Sequence, residues 1–177
     1  MTSAVRKVTY GAACSLDGFI ATADDDVEWL HWSDDVQRLT SSYFERVDTV
    51  LMGRKTYDVT RAMGSGAYPS VSTYVFSRTL RDDPEPGVRL VREPADAFVR
   101  ELRAAPGGEI CVMGGGELAQ ALFEADLVDE VGVNIQPVLL GSGIPLFRPM
   151  SRRRGLELLR SERIDGGCMY LLYRVLR

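Results

Sequence analysis

The sequence predicts an α/β protein with a mostly parallel central sheet that ends in an antiparallel C-terminal hairpin. Short runs rich in Val, Ile, Leu and Tyr alternate with segments whose apolar residues recur at helical spacing. This alternation favours a parallel sheet with crossover helices. Near the C-terminus, two longer strand-like runs flank Asp165-Gly166-Gly167, a sequence typical of the turn of an antiparallel hairpin.

Eight strands are predicted from runs rich in β-branched and aromatic residues. In chain order they are Lys7–Cys14, Thr49–Met52, Thr73–Ser77, Val88–Val91, Glu109–Met113, Glu130–Val138, Leu156–Ile164 and Cys168–Leu176. Helices are predicted between them at Asp34–Arg46, Asp96–Ala104 and Glu117–Glu124. Ser33 is a suitable N-cap for the first of these helices, and a further helix can begin directly after Gly53.

Composition restricts the classes of function. With 177 residues, the chain is long enough for one well-buried domain, residues 1–177, and short for two. The net charge of −4 gives no global electrostatic reason to bind nucleic acid. No apolar run approaches the ~20 residues that cross a bilayer, and the charged N-terminal stretch differs from a signal peptide. We therefore expect a cytoplasmic protein without membrane contact. Cys14, Cys111 and Cys168 lack the spacing of a disulfide framework or a metal site.

Three predicted strand ends carry residues suited to binding phosphate. One reads Gly53-Arg54-Lys55-Thr56 at a possible helix N-terminus, where free N–H groups, two cations and a hydroxyl can meet an anion. Ser77-Arg78 and Gly114-Gly115-Gly116 follow two further strands. In open α/β sheets, ligands bind outside the carboxyl ends of the strands. The alternatives are a solvated basic turn and a polar strand exit, and the glycine run does not follow the dinucleotide fingerprint.

Other residues have two interpretations each. Asp17-Gly18 is either a structural turn that caps backbone N–H groups or part of a loop over a ligand. Trp29, Trp32 and Tyr43 either pack in the core or form an aromatic wall for a flat ring. His31 is either a packing or surface residue or a proton donor at a pocket mouth. Arg152-Arg153-Arg154 is either a solvated basic turn or a contact for a phosphate-bearing ligand.

Five stretches, in this order, resemble the dihydrofolate reductase superfamily. They are SLDGFIA (15–21), LMGRKTY (51–57), VFSRT (75–79), VMGGGELAQAL (112–122) and LVDEVGVNIQPVLLGSGIPLF (127–147). They most resemble the reductase domain at the C-terminus of the bifunctional riboflavin-biosynthesis deaminase-reductase. Each stretch is short, but the ordered set spans nearly the whole chain. The resemblance implies a dihydrofolate-reductase-like three-layer fold, NADPH as cofactor and a homodimer.

The resemblance also assigns residues to NADPH. They are Ala13, Ile20, Gly53, Arg54, Lys55, Thr56, Ser77, Arg78, Gly114, Gly115, Gly116 and Glu117. Arg54 and Ser77-Arg78 would lie near the adenosine 2′-phosphate, and the backbone at Ala13 and Ile20 near the nicotinamide. The Gly114–Gly115 peptide bond is expected to be cis, with its backbone facing the space between Ala13 and Thr56. The candidate substrate residues are Asp17, Trp29, Thr40 and Phe44.

The sequence departs from true dihydrofolate reductases on the first helix. Those enzymes carry one buried carboxylate there, whereas the corresponding face here carries Thr40, Ser41 and Phe44. Asp34 and Asp35 lie at the helix start, where acids are expected as partners of the helix dipole. The sequence therefore predicts an NADPH-dependent reductase of a small heterocyclic or sugar-derived substrate, with no catalytic residue identified. A non-catalytic NADPH-binding or sensor protein is the alternative.

Overall fold

The computed structural model describes residues 5–64, 66, 70–81 and 84–177, and its main feature is an eight-stranded sheet. The strands of the protein are β1 (Val8–Ser15), β2 (Phe19–Ala21), β3 (Val47–Gly53), β4 (Ser72–Phe76), β5 (Val88–Val91), β6 (Glu109–Met113), β7 (Glu130–Gln136), β8 (Ile144–Pro145), β9 (Leu156–Ile164) and β10 (Cys168–Val175). The main sheet has the order β5-β4-β3-β6-β1-β7-β10-β9. Its first six strands are parallel, and β10 is antiparallel to both β7 and β9. The predicted parallel sheet and antiparallel hairpin are confirmed.

Four helices connect the strands of the described part of the chain. They are α1 (Asp34–Phe44), α2 (Arg54–Ala62), α3 (Ala95–Ala104) and α4 (Gly116–Glu124). Ser33 caps α1 as predicted, since its hydroxyl accepts a hydrogen bond from the backbone N–H of Val36 at 3.3 Å. The helix that can begin after Gly53 is present as α2.

Alternating side chains of the sheet build two cores, one on each face. On β3, Leu51 packs in one core, whereas Val50 and Met52 pack in the other. The first core contains Val99 of α3 and much of α4, and the second contains Tyr57 of α2 together with the C-terminal end of α1. Because successive strand residues point to opposite faces, a buried strand with helices on both sides must be apolar throughout. The result is the predicted three-layer arrangement of helix, sheet and helix.

One small sheet was not predicted. β2 and β8 pair antiparallel although they are 3 and 2 residues long, and they bring the segment after β1 against the segment after β7. A hydrogen bond from Leu146 N to Gly18 O, at 2.8 Å, extends this contact. Runs this short carry no readable periodicity, because two or three residues cannot show an alternation.

A network of charged residues lies at the amino ends of the parallel strands and links β1, β3 and β6 there. The guanidinium of Arg6 forms an ion pair with Asp48 and donates to Gly108 O at 2.8 Å and to Thr49 Oγ1 at 2.8 Å. Asp48 also accepts from Gly108 N at 2.6 Å. Partial burial would raise the pKa of Asp48, but the hydrogen bonds from Gly108 and Thr49 and the nearby Arg6 outweigh it, so that the pKa lies below its usual value.

Asp48 should therefore contribute to the loss of stability of the folded protein at low pH. A carboxyl whose pKa is depressed by folding contributes stability above its unfolded pKa, about 3.9, and this contribution is lost as the pH falls through the folded pKa. We expect Asp48→Asn to reduce the loss of unfolding free energy between pH 5 and pH 2, measured by urea denaturation. Glu101→Gln, which removes an exposed carboxylate from α3, serves as the control. An unchanged pH dependence in Asp48→Asn would contradict the prediction.

Candidate functional site

A cleft of about 990 Å³ runs along the carboxyl ends of five adjacent strands. Ala13 of β1, Gly53 at the end of β3, Phe76 of β4, Val91 of β5 and Met113 of β6 all line it. This volume is at the upper end of the roughly 300–1,000 Å³ range of ligand pockets in proteins. The cleft is therefore large enough for an extended ligand, and it lies where open α/β sheets bind theirs.

The N-terminus of α2 forms one wall of the cleft. Gly53 is its N-cap and has no side chain to satisfy the first free N–H groups of the helix. Arg54, Lys55 and Thr56 all line the cleft. Arg54 Nε lies 2.7 Å from Asp58 Oδ2, one turn further along the helix. The first turn of α2 therefore offers N–H groups, a hydroxyl and two cations to an anion.

The glycine run at the N-terminus of α4 forms the adjoining wall. Gly114 and Gly115 have φ of 63° and 81°, values that a residue with a side chain rarely adopts. A Cβ on Gly114 would lie 3.2 Å from Thr56 Oγ1, and one on Gly115 would lie 3.2 Å from Gly53 N. Glycine therefore lets the N-termini of α2 and α4 meet in one cleft, and it places Gly114 beside Thr56 as predicted.

The predicted cis bond between Gly114 and Gly115 is wrong. No peptide bond among the residues that the structure describes is cis. Two successive positive φ angles reverse the chain within the trans geometry, so the ~3 kcal/mol of a non-proline cis bond is not required.

Ser77 and Arg78 lie where β4 ends, and both line the cleft. Ser77 is buried, and its Oγ accepts from Leu80 N at 3.0 Å, which leaves the hydroxyl hydrogen available to a ligand. Arg78 is exposed and has neither a hydrogen bond nor an ion pair with any other residue that the structure describes. Its charge is therefore the least compensated among the predicted cofactor residues.

The other end of the cleft is mostly apolar. Ala13 and Ile20 line it as predicted, together with the segment from Gly143 to Pro145. Sequence reasoning did not find the aliphatic residues that continue this wall, which are Val27, Leu30 and Val59. No sequence signal marked them, because single aliphatic residues in a polar loop or a short helix are common.

The four predicted substrate residues do not line the cleft. Asp17 accepts backbone hydrogen bonds from Gly141 N at 2.7 Å and Leu140 N at 3.1 Å, so its carboxylate has the structural capping role. A hydrogen bond from the Ser15 hydroxyl, together with these two backbone bonds, lowers the pKa of Asp17. The indole of Trp29 donates to Asp26 O at 3.2 Å, and Phe44 packs against the core beneath α1 and α2. Thr40 is half-buried on α1. Their contact with a substrate stays a prediction.

Acids and thiols outside the cleft have structural roles. Asp35 of α1 accepts from Asp165 N at 3.1 Å, so it ties α1 to the hairpin turn. Like the rest of α1, it does not line the cleft. The three cysteines are free and buried, and burial raises the pKa of Cys14 to about 11 and that of Cys111 to about 12. Neither thiol is therefore a nucleophile near neutral pH.

His31 and the arginine triplet also lie outside the cleft. A Cβ on Gly166 would be 2.5 Å from the His31 ring, so the exposed ring rests on the hairpin turn. Arg154 donates to Phe123 O in the last turn of α4, and Arg152 pairs with Asp126. Arg152 and Arg154 therefore stabilise the C-terminal end of α4, where a cation is favourable.

Comparison with known proteins identifies this arrangement. A sequence model of the RibD C-terminal domain matches residues 6–170. The chain belongs to the RibD C-terminal domain family. The uncharacterized protein YwjB of Bacillus subtilis (strain 168) is 34% identical over 155 residues, which are 86% of this chain and 89% of YwjB. The family is thus the one that the five ordered stretches resemble.

Solved structures share the fold of this RibD C-terminal domain. A protein from Shewanella sp. PV-4, named for riboflavin biosynthesis, has a TM-score of 0.84 with 29% identity, covering 97% of this chain and 99% of its own. The Thermotoga maritima deaminase/5-amino-6-(5-phosphoribosylamino)uracil reductase has a TM-score of 0.74 with 17% identity, covering 97% of this chain and 57% of its own. Enterococcus faecalis dihydrofolate reductase, complexed with NADP(H), has a TM-score of 0.72 with 16% identity, covering 97% of each chain. The dihydrofolate-reductase-like fold is confirmed.

The described residues contain neither a membrane-spanning helix nor a metal-binding cluster. They contain no helix long and apolar enough to span a bilayer. They also contain no group of three or more His, Cys, Asp or Glu side chains that could hold a metal ion.

Proposed function

We propose that this chain is an NADPH-dependent reductase that transfers hydride to a small heterocyclic or sugar-derived compound. The observation that carries the proposal is the convergence of two helix N-termini, of α2 and α4, with the uncompensated Arg78 in one cleft. Membership in the RibD C-terminal domain family supports a reductase-like activity of the riboflavin pathway type. The homodimer and the cytoplasmic location implied by the sequence stay predictions.

The residues present fit NADPH. Backbone N–H groups of α2 and α4, with the Thr56 hydroxyl, would hold the pyrophosphate, and the absence of side chains on Gly114 and Gly115 leaves room for it. Arg78, together with Arg54 and Ser77, would hold the 2′-phosphate. When bound, NADPH supplies a hydride to the electrophilic carbon of a C=O or C=N group, whose oxygen or nitrogen takes up a proton.

The chain's own contribution is orientation and exclusion of water. The apolar end of the cleft, which includes Ile20, Leu30 and Val59, would cover the reacting carbon. None of the described residues that line this end is a histidine or a tyrosine. The proton would come from water or from a residue that this lining does not identify.

Nucleotide selectivity tests the proposal. We expect NADPH to bind roughly tenfold or more tightly than NADH, because a charge-assisted hydrogen bond contributes about 1.5–3 kcal/mol and NADH lacks the 2′-phosphate. Titration of both nucleotides by nicotinamide fluorescence measures the ratio. Equal affinities would contradict the assignment of Arg54, Ser77 and Arg78.

A turnover assay distinguishes a reductase from a non-catalytic NADPH-binding or sensor protein. NADPH oxidation should be followed at 340 nm with dihydrofolate, pterins, the riboflavin pyrimidine intermediate and simple carbonyls. Oxidation with any of these supports the reductase. Tight NADPH binding without oxidation would favour the alternative, an NADPH-binding or sensor protein, which the lack of a carboxylate from α1 in the cleft also favours.

A further inference from the structure

The end of the cleft beyond the phosphate-binding residues is enclosed by aliphatic side chains. Lys55 and Val59 are four residues apart on α2, so they lie on the same face of the helix. Lys55 Nζ lies 3.2 Å from both carboxylate oxygens of Asp25, which brings the loop after β2 against this helix face. Val27 and Leu30 of that loop line the cleft together with Val59. A ligand at this end therefore meets an apolar surface.

The same loop carries a concentration of negative charge. Its sequence includes Asp24, Asp25, Asp26 and Glu28 around Val27, and we call these four carboxylates the acidic lip. The loop is a fixed turn, because Thr22 N donates to Asp26 O at 3.1 Å and Asp25 N donates to Thr22 O at 3.1 Å. Asp25 is held at φ 67°, an unusual value for a residue with a side chain. Asp25 lines this end of the cleft, and Asp24, Asp26 and Glu28 belong to the same turn without lining the cleft themselves.

The basic side chains of the cleft leave no unpaired cation at its aliphatic end. Residues outside the described ranges include no Lys, Arg or His, so the position of every basic side chain is known. Those that line the cleft are Arg54, Lys55, Arg78, Arg92 and Arg148. Arg78 and Arg92 follow β4 and β5, and Arg148 packs against Gly116 at the start of α4. Lys55 adjoins the aliphatic end and pairs with Asp25, and Arg148, which lies near Pro145 beside Gly116, pairs with Glu117 at 3.2 Å.

We infer that the compound reduced in this cleft carries no phosphate group and presents an uncharged, largely apolar surface to Val27, Leu30 and Val59. A phosphate monoester carries a charge of about −1.5 to −2 near neutral pH. At this end it would face aliphatic side chains and Asp25, and the two nearby cations, Lys55 and Arg148, already pair with carboxylates, an arrangement that is unfavourable for an anion removed from water. The inference rests on the proposed reductase function. It separates this chain from the Thermotoga maritima reductase, whose named compound is a phosphoribosyl derivative.

Matched pairs of compounds test the inference. Each pair consists of an unsaturated compound and its phosphate ester, for example 4-hydroxybenzaldehyde with 4-formylphenyl phosphate, and the ribosylaminouracil with its 5′-phosphate. Binding to the protein saturated with NADP⁺ is measured by calorimetry, which needs no turnover. We expect at least one unphosphorylated compound to bind, and roughly tenfold or more tightly than its ester. Equal or tighter binding of the esters, or no binding of any unphosphorylated compound, would overturn the inference.

A charge introduced at the aliphatic end should change this preference. We expect Val59→Arg to strengthen binding of the phosphate esters about tenfold, because the new guanidinium can pair with the phosphate. Leu158→Arg, on the exposed face of the edge strand β9, adds the same charge outside the cleft and should have no effect. An unchanged preference in folded Val59→Arg would count against the inference.

A second variant covers the case in which Val59→Arg does not fold. Replacing Asp24, Asp26 and Glu28 by Asn, Asn and Gln removes most of the lip charge, keeps their side-chain acceptor atoms and leaves the Asp25–Lys55 pair intact. It should reduce the preference for unphosphorylated compounds, and this reduction should be larger at low ionic strength. The same preference as in the unchanged protein would overturn the role of the lip.

The NADPH titration distinguishes the two levels of the argument. If the unchanged protein does not bind NADPH, the proposed function and this inference are overturned together. NADPH binding combined with a preference for phosphate esters would overturn the inference alone.

Discussion

We expect Gly143→Ala to lower the free energy of unfolding by about 3 kcal/mol and to weaken NADPH binding at the same time. Gly143 has φ of 152°, in a region that is open almost only to glycine, and a Cβ there would lie 2.2 Å from Ala21 O. Ala21 pairs with Ile144, so an added methyl group must push β8 away from β2. Because residues of both strands line the cleft, the displacement should open its apolar end. Urea denaturation and the nicotinamide fluorescence titration measure the two effects.

Gly141→Ala is the matched control for this variant. Gly141 also has a positive φ, 74°, but a Cβ there would meet no atom within 4 Å. Its alanine variant retains the N–H that Asp17 accepts and should lose only about 1–2 kcal/mol through backbone strain. Similar losses in the two variants would show that the contact between Gly143 and Ala21 has no particular importance.

We expect Arg78→Ala to weaken NADPH binding roughly 10- to 150-fold, since a charge-assisted hydrogen bond contributes about 1.5–3 kcal/mol. NADH binding should stay unchanged, because NADH has no 2′-phosphate for Arg78 to contact. Arg54→Ala should have a smaller effect, because Arg54 already pairs with Asp58. The sequence assigned both arginines to the same phosphate, and the structure ranks them by the partners that they already have.

Arg153→Ala provides the control for the change in net charge. Arg153 is exposed and does not line the cleft, so its removal should leave the affinities for both nucleotides unaltered. Parallel titrations of the three arginine variants with NADPH and NADH complete the test. A loss of NADH affinity in Arg78→Ala equal to that of NADPH would contradict a contact with the 2′-phosphate.

The central sheet could be predicted from sequence because its signals are local. A buried parallel strand is apolar over its whole length, as in Thr49–Met52, and the hairpin turn is marked by Asp165-Gly166-Gly167. The predicted strands Val88–Val91, Glu109–Met113 and Leu156–Ile164 coincide with β5, β6 and β9. Other elements have boundaries that differ from the predicted ones by a few residues. The predicted Asp34–Arg46 helix ends at Phe44, where the chain turns into β3.

The strand ends that line the cleft at α2, α4 and Ser77 could also be predicted from sequence. Their residues follow strands directly, and the carboxyl ends of neighbouring parallel strands meet at one edge of the sheet. The conformation of the Gly114–Gly115 peptide bond could not be predicted in the same way. Family resemblance suggested a cis bond, but the backbone satisfies the same close approach to Thr56 through two positive φ angles.

The apolar end was decided by tertiary structure alone. Asp25 and Lys55 are 30 residues apart in the chain, and Asp17 and Gly141 are 124 apart, yet these contacts determine which loops enclose the cleft. They give Asp17 its capping contacts with the loop after β7 and bring Val27 and Leu30 into the lining beside Val59. The sequence by itself determined the elements and the strand ends that line the cleft, because both depend on near neighbours. The surface offered to a substrate depends on which distant loops pack together, and only the folded chain decides that.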